Sequence, residues 1–212
     1  LSGDTPTTVE GFEYEPRYRL SMDSTLEADF ISRLLTIGES DTIDRLAILC
    51  HGWAAETASG RIEEGFGLEF CGEDGLSIFN VDSLNVLGRS IEITEVFIYG
   101  CGAAHIATGT DGHAVDGNGH LLCRKIAQAT RAYVTASTET QRADRGISGL
   151  YPMDMGEWEG LVVRYDPEGE IVNIVRHPSV WFPGTPDPRH FLESLGESMV
   201  EGDERFSTGF PL

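Results

Sequence analysis

Short apolar runs that stop at glycine alternate, along this chain, with stretches whose apolar residues recur every three or four positions. Leu46-Ala47-Ile48-Leu49-Cys50 stops at His51-Gly52, and Val96-Phe97-Ile98-Tyr99-Gly100 stops at Cys101-Gly102. Continuous apolarity over such a short run is the pattern of a strand buried on both faces, as in a parallel sheet, and the glycine marks a tight turn at its end. Ahead of the first run, Ser24-Thr25-Leu26-Glu27 has the form of a capping box. Leu26, Phe30, Ile31, Leu34 and Leu35 then recur at helical spacing until Gly38 ends the helix. Asn118 is placed to cap a second helix carrying Leu121, Leu122, Lys125, Ile126 and Ala129, a stripe that reads as core, and residues 132–137 follow as a strand.

The remaining elements are shorter. Residues 17–22 alternate weakly and predict a first strand, and residues 80–89 predict a short helix with Leu84 and Leu87 inward. Residues 53–66 are small, polar and glycine-containing, the composition of a surface loop. Residues 67–70 and 76–79 flank Cys71-Gly72-Glu73-Asp74-Gly75 as a hairpin, and residues 161–166 and 170–176 flank Asp166-Pro167-Glu168-Gly169 as another. The proline-rich stretch 178–188 reads as loop and 189–198 as a final helix. Strands and helices alternating from 17 to 137 predict an α/β fold: a mostly parallel central sheet with helices on both faces and a C-terminal antiparallel hairpin. The expected organisation is an N-terminal arm or edge strand over 1–16, one domain over 17–177, and a loop and short helix over 178–212 that pack on it.

Composition narrows the partners. The chain has 212 residues, with 35 acidic against 15 basic side chains and a formal net charge of −20. Such a field repels nucleic acid and anionic membrane surfaces and favours basic peptides. No run approaches the length of a membrane span. Four cysteines stand at 50, 71, 101 and 123 without Cys-x-x-Cys spacing, which argues against a zinc ribbon. Cys50 and Cys123 fall in core patterns, where a thiol acts as a small hydrophobe. Reduced thiols and a cytoplasmic setting are expected, with secretion after removal of a signal left open.

The chemistry concentrates where the two apolar runs end. If those strands are neighbours, His51 and Cys101 lie together at the carboxyl edge of the sheet, the edge at which open α/β folds do chemistry. A thiolate attacks a carbonyl well, and a nearby imidazole can take the thiol proton and pass it to the departing amine. Gly52 would let a substrate backbone approach His51, and Gly102 would leave amides after Cys101 turned toward a developing oxyanion. His105, His113 and His120, with Asp111 and Asp116, match no zinc spacing. Residues 111–118 offer calcium-friendly oxygens without the EF-hand order. No Gly-x-Ser-x-Gly elbow, Walker loop or dinucleotide fingerprint is present.

The run into His51-Gly52, then Gly67-Leu68-Glu69-Phe70 and Asp74-Gly75-Leu76-Ser77, then the run into Cys101-Gly102-Ala103-Ala104, resembles the caspase-like cysteine peptidases. That group includes caspases, metacaspases, gingipains, separase and the CHAT domains, and the likeness is strongest to bacterial CHAT-like domains. It covers roughly residues 43–140, including the helix 119–130 and the strand after it, and extends through the 160–176 hairpin. The resemblance implies a three-layer caspase-like sandwich and a thiol endopeptidase acting on protein or peptide. It implies Cys101 as nucleophile, His51 as general base and acid, and the amides of Gly52 and Cys101 as oxyanion donors. It places Ser137, Thr138 and Glu139, with the residues through Gln141, along the substrate cleft. Gly-Ala-Ala after Cys101 departs from the arginine-glycine of true caspases, so aspartate specificity is not implied. The acidic balance favours Arg or Lys before the scissile bond, read by one of Asp23, Glu95, Asp111, Asp116 or Glu139. Arg142 and Arg145 would then be candidate self-cleavage sites, against the plainer reading of a solvated charged loop. No cofactor or metal is expected; calcium activation, known in metacaspases, stays open. A different class also stays open: a catalytically silent module of the same fold that binds protein partners.

Overall fold

Two three-residue strands, β1 (Thr7–Val9) and β2 (Phe12–Tyr14), pair antiparallel near the start of the chain, with Thr7 opposite Tyr14. The computed structural model describes residues 7–9, 12–14, 27–56, 62–69, 75–106, 118–139, 141, 144–145, 153–154, 158–178, 189, 191–192 and 195. The anticipated strand at 17–22 and the capping-box residues before Glu27 lie outside these. Helix α1 (Glu27–Gly38) buries Phe30 and Leu34, with Ile31 and Leu35 packed beside them, which is the apolar stripe expected of it. Glu27 and Asp29 in its first turn face the positive end of the helix dipole.

Strand β3 (Ile43–Leu49) follows, then β4 (His51–Glu56) and β5 (Ile62–Glu69). A single 3₁₀ turn (Val81–Leu84) leads into α2 (Asn85–Ser90), with Leu84 and Leu87 buried as anticipated. Next come β6 (Ile93–Tyr99), α3 (Gly119–Thr130) and β7 (Tyr133–Ser137). Two short pieces, β8 (Asp144–Arg145) and β9 (Met153–Asp154), precede β10 (Gly160–Tyr165) and β11 (Ile171–His177).

Five strands form the central sheet in the order β11-β10-β7-β6-β3. β3, β6 and β7 run parallel, whereas β10 is antiparallel to β7 and to β11. The fold is thus α/β with a mixed sheet whose parallel half precedes an antiparallel C-terminal hairpin. That hairpin turns where Asp166-Pro167-Glu168-Gly169 requires it. Gly169 has φ +85° and its N–H reaches the Asp166 carbonyl at 2.8 Å, while the Asp166 carboxylate accepts from the amides of Glu168 and Glu170. α3 begins where Asn118 caps it, its side chain accepting from the Leu121 N–H at 2.9 Å.

One sheet face carries the main core. Ile48, Val96, Ile98, Val134, Ala136, Leu161, Val163 and Tyr165 join residues from α1, α2 and α3 in a single buried cluster, which Phe191 and Leu195 of the C-terminal helical residues also enter. The opposite face holds a smaller cluster of Tyr99, Trp158 and Val162 with Ala47 and Phe97 beside it. Further along that face Glu95 bridges Arg45 and Arg164, at 3.6 and 2.5 Å. Helices on both faces were expected; among the described residues the three α-helices feed the same core.

The stretch 53–66 also differs from expectation. It contains strands rather than a bare loop, because β4 runs straight on from His51 and finds β5 as an antiparallel partner, His51 opposite Glu69 and Gly52 opposite Leu68. Among the described residues the pairing of 67–70 with 76–79 is one bridge, Leu68 with Leu76, held by two backbone hydrogen bonds of 2.8 and 2.9 Å. Small, polar composition concealed the strands, although β5 carries Leu68 into the main core.

Candidate active site

The register of β3 on β6 positions the two residues of interest. Leu49 pairs with Tyr99 and Ile48 with Ile98, and the pairing runs one step further through a hydrogen bond from the Cys50 N–H to the Tyr99 carbonyl at 3.4 Å. His51 and Cys101 each follow two residues after that matched pair, side by side at the carboxyl edge of two adjacent parallel strands. Gly52 explains how close the chains come. A Cβ on Gly52 would fall inside the Cys101 carbonyl oxygen, 2.7 Å from its carbonyl carbon and 3.1 Å from its nitrogen. The space expected to admit a substrate backbone is therefore taken by the Cys101 backbone, and glycine is required there so that the His51 and Cys101 segments can touch.

Beyond Cys101 the chain turns tightly. Gly102 has φ +61°, a left-handed conformation that suits glycine, and its N–H donates to the Glu139 carbonyl at 2.9 Å. That amide is spent inside the protein, so Gly102 is not the oxyanion donor anticipated for it in this conformation. Two more bonds tie the same loop to the end of β7: Ala104 N–H to the Ser137 carbonyl at 2.9 Å, and His105 Nδ1 with the Thr138 carbonyl at 3.0 Å. A carbonyl accepts only, so His105 carries its proton on Nδ1 there. Burial holds the His105 ring below the usual imidazole range, partly offset by that bond. Underneath, the Cys123 thiol donates to the Ala103 carbonyl at 3.2 Å, and burial pushes its ionisation far up, which makes it an inert core thiol. Cys50, Cys101 and Cys123 are all free thiols.

The residues expected along a cleft divide into two groups. Ser137 is fully buried; its hydroxyl donates to the Glu159 carbonyl at 2.6 Å and accepts from the Glu139 N–H at 3.1 Å. Thr138 is buried too, its N–H bonded to the Leu161 carbonyl. Both residues build the wall. Glu139 alone of the three keeps side-chain exposure, lies against Gly160 at the start of β10, and has its carboxyl pushed above the usual range by desolvation. Of the other acidic candidates, Glu95 is held by Arg45 and Arg164, and Asp23, Asp111 and Asp116 lie outside the described residues.

Two contributors escaped the sequence reading, and a third, Gln141, has a bonding role other than the cleft contact expected of it. Trp158 stacks on Tyr99 at 4.2 Å between ring centroids, covering the strand that delivers Cys101. Glu159 is buried and supplies two backbone groups to the network. Gln141 joins these groups to the loop that carries Cys101: among the described residues the Cys101 thiol hydrogen bonds to the Gln141 carbonyl oxygen, at 3.8 Å, rather than to His51. No periodicity marks these roles, because most of the partners are remote in sequence. Of the histidine-rich stretch after Cys101, His120 is buried against the Tyr165 hydroxyl at 3.2 Å, and His113 lies outside the described residues. No group of three or more metal-ligating side chains is assembled among the described residues. No helix among them is long and apolar enough to cross a membrane.

No family model matches the chain, and neither does any curated protein or solved structure.

Proposed function

We propose that this protein is a caspase-like cysteine endopeptidase in which Cys101 is the nucleophile and His51 the proton carrier. The observation that supports this best is the register of β3 on β6, which sets a histidine and a cysteine beside each other at the carboxyl edge of the parallel half of the sheet. In the reaction the Cys101 sulfur attacks the scissile carbonyl carbon and the thiol proton passes to His51. The carbonyl oxygen becomes an oxyanion, for which the backbone amides of Gly52 and Cys101 are the donors carried by the family resemblance. Collapse expels the amine, which takes the proton from His51 and leaves a thioester on Cys101. Water, deprotonated by His51, then hydrolyses the thioester and restores the thiol. Before the first step the thiol has to leave the Gln141 carbonyl and turn toward the imidazole.

The substrate is a protein or peptide with Arg or Lys before the scissile bond. The net charge of −20 draws such chains in, and Glu139, half-exposed and bonded through its backbone carbonyl to Gly102, is the carboxylate we propose to pair with the cationic side chain.

The test is cleavage of a mixed peptide library read by mass spectrometry, for wild type beside Cys101→Ala and His51→Ala, with and without calcium. Cuts in wild type alone, following Arg or Lys, are the expected result. Cuts that survive both substitutions would sink the dyad. An uncut library together with a Cys101 that iodoacetamide does not label would instead support a silent, partner-binding module.

A further inference from the structure

We infer that Gln141 is the positioning residue of the nucleophile, controlling both the loop that carries the Cys101 sulfur and the oxygen on which its proton rests. The inference depends on Cys101 being the reactive thiol, not on which bond that thiol attacks.

Gln141 is buried, and its side-chain amide makes three hydrogen bonds. Nε2 donates to the Glu139 carbonyl at 3.1 Å and to the Glu159 carbonyl at 2.9 Å, while Oε1 accepts from the Glu159 N–H at 3.1 Å. The orientation of the amide follows from its neighbours, since two carbonyls demand the nitrogen and one N–H demands the oxygen. These bonds join the end of β7 to the entry of β10. The Glu139 carbonyl at the same time accepts from Gly102, the residue after the nucleophile, at 2.9 Å. The backbone carbonyl of Gln141 itself receives the thiol of Cys101. One side chain therefore fixes the sulfur from two directions, through its loop and through its acceptor.

Few other residues could do this. Glutamate has no donor and would set a carboxylate against two carbonyl oxygens. Asparagine is one methylene too short to reach both strands, and alanine leaves three buried backbone groups without this partner. The bond from thiol to carbonyl describes a resting arrangement: the sulfur reacts only after that bond breaks. Holding the acceptor in place thus restrains the nucleophile, and loosening it releases the sulfur.

The test compares wild type with Gln141→Glu and Gln141→Ala, under iodoacetamide labelling near neutral pH. Rates are resolved at Cys101 and at Cys50 by peptide mass spectrometry. The infrared S–H stretching band of Cys101, isolated by subtracting a Cys101→Ser spectrum, is recorded alongside. Cys101 labelling is expected to rise about threefold in both variants, the factor a weak net hydrogen bond represents, with Cys50 unchanged and the S–H band moved to the position of an unbonded thiol. A folded variant in which Cys101 labels no faster and its band stays put would overturn the assignment. So would equal acceleration at Cys50, which would mean general loosening. Gln141→Glu keeps the side-chain volume and one acceptor, so it decides the matter if Gln141→Ala does not fold. Since no peptide is cut in this experiment, failure of the peptidase reading leaves its outcome interpretable.

Discussion

Substituting Gly52 by alanine tests the central geometric claim, that the His51 and Cys101 segments are in backbone contact. The added methyl would overlap the Cys101 carbonyl oxygen and approach its carbon to 2.7 Å and its nitrogen to 3.1 Å. All three are backbone atoms, so no flexible side chain can yield, and either β4 or the Cys101 turn has to move by nearly two ångströms to restore ordinary contact. Overpacking of this kind costs about 1–3 kcal/mol, and the rigidity of both partners argues for the upper end. For a chain of this size that corresponds to a fall of roughly 5–10 °C in melting temperature. Gly100→Ala is the matched control. Its Cβ would meet the tip of the Leu68 side chain at 3.2 Å and the Cys50 carbonyl oxygen at 3.6 Å, contacts that a small rotation of Leu68 relieves. It should therefore cost about 1 kcal/mol or less. Thermal melts followed by circular dichroism measure both. On the proposed mechanism peptide cleavage provides the second readout, because a displacement of about 1 Å between nucleophile and base lowers turnover by roughly a hundredfold. If Gly52→Ala melts with wild type and cleaves at the wild-type rate, the contact is not made and the extension of the β3–β6 register to His51 and Cys101 is wrong.

Other expectations are open to measurement. Burial, with a smaller contribution from Arg124, depresses His120 to about 4 from its ordinary 6.5. Below 6.5 the unfolded chain gains a proton that the folded one refuses, so stability is full above 6.5 and falls by about 1.4 kcal/mol per pH unit until about 4, on the order of 3 kcal/mol in all. Urea melts across that window should show a shallower acid limb for His120→Gln than for wild type, and parallel limbs would remove His120 from the account. Trp158→Ala empties the stack on Tyr99 and should cost about 3–5 kcal/mol in denaturant melts. Trp158→Phe should cost about 1 kcal/mol, because the indole N–H it deletes is buried without a hydrogen-bond partner among the described residues. Equal losses for the two would mean that the N–H matters more than the ring. On the proposed specificity Glu139→Gln should lower cleavage after Arg and Lys by about tenfold while leaving cuts after neutral residues near wild type, since charge-assisted pairing alone is removed. A uniform loss across all substrates would assign Glu139 to structure instead.

The elements themselves were largely legible in the chain. The stripe of Phe30 and Leu34, the Asn118 cap, the 166–169 turn and the apolar runs at 46–50 and 96–100 each depend on residues within a turn or two of one another. Local patterning of that kind survives translation into structure because helix stripes, caps and turns are decided over a few positions. The placement of Cys101 just past a strand end belongs to the same class, whereas His51 opens β4 where a tight turn was expected. That β3 and β6 are neighbours in matching register does not belong to it, because pairing is a choice among partners dozens of residues away. Three further facts were decided in the same way. Residues 53–56 became a strand only because 62–69 lay opposite, and Gly52 is glycine because the Cys101 backbone occupies the place of its side chain. The amide of Gln141 found one acceptor two residues away, yet its other two bonds go to Glu159 and its carbonyl meets Cys101. Hydrogen bonds and close approaches across such separations leave no periodic trace in sequence. The chain by itself determined which residues could do chemistry and on what kind of element they sit, and the folded sheet decided which of them meet.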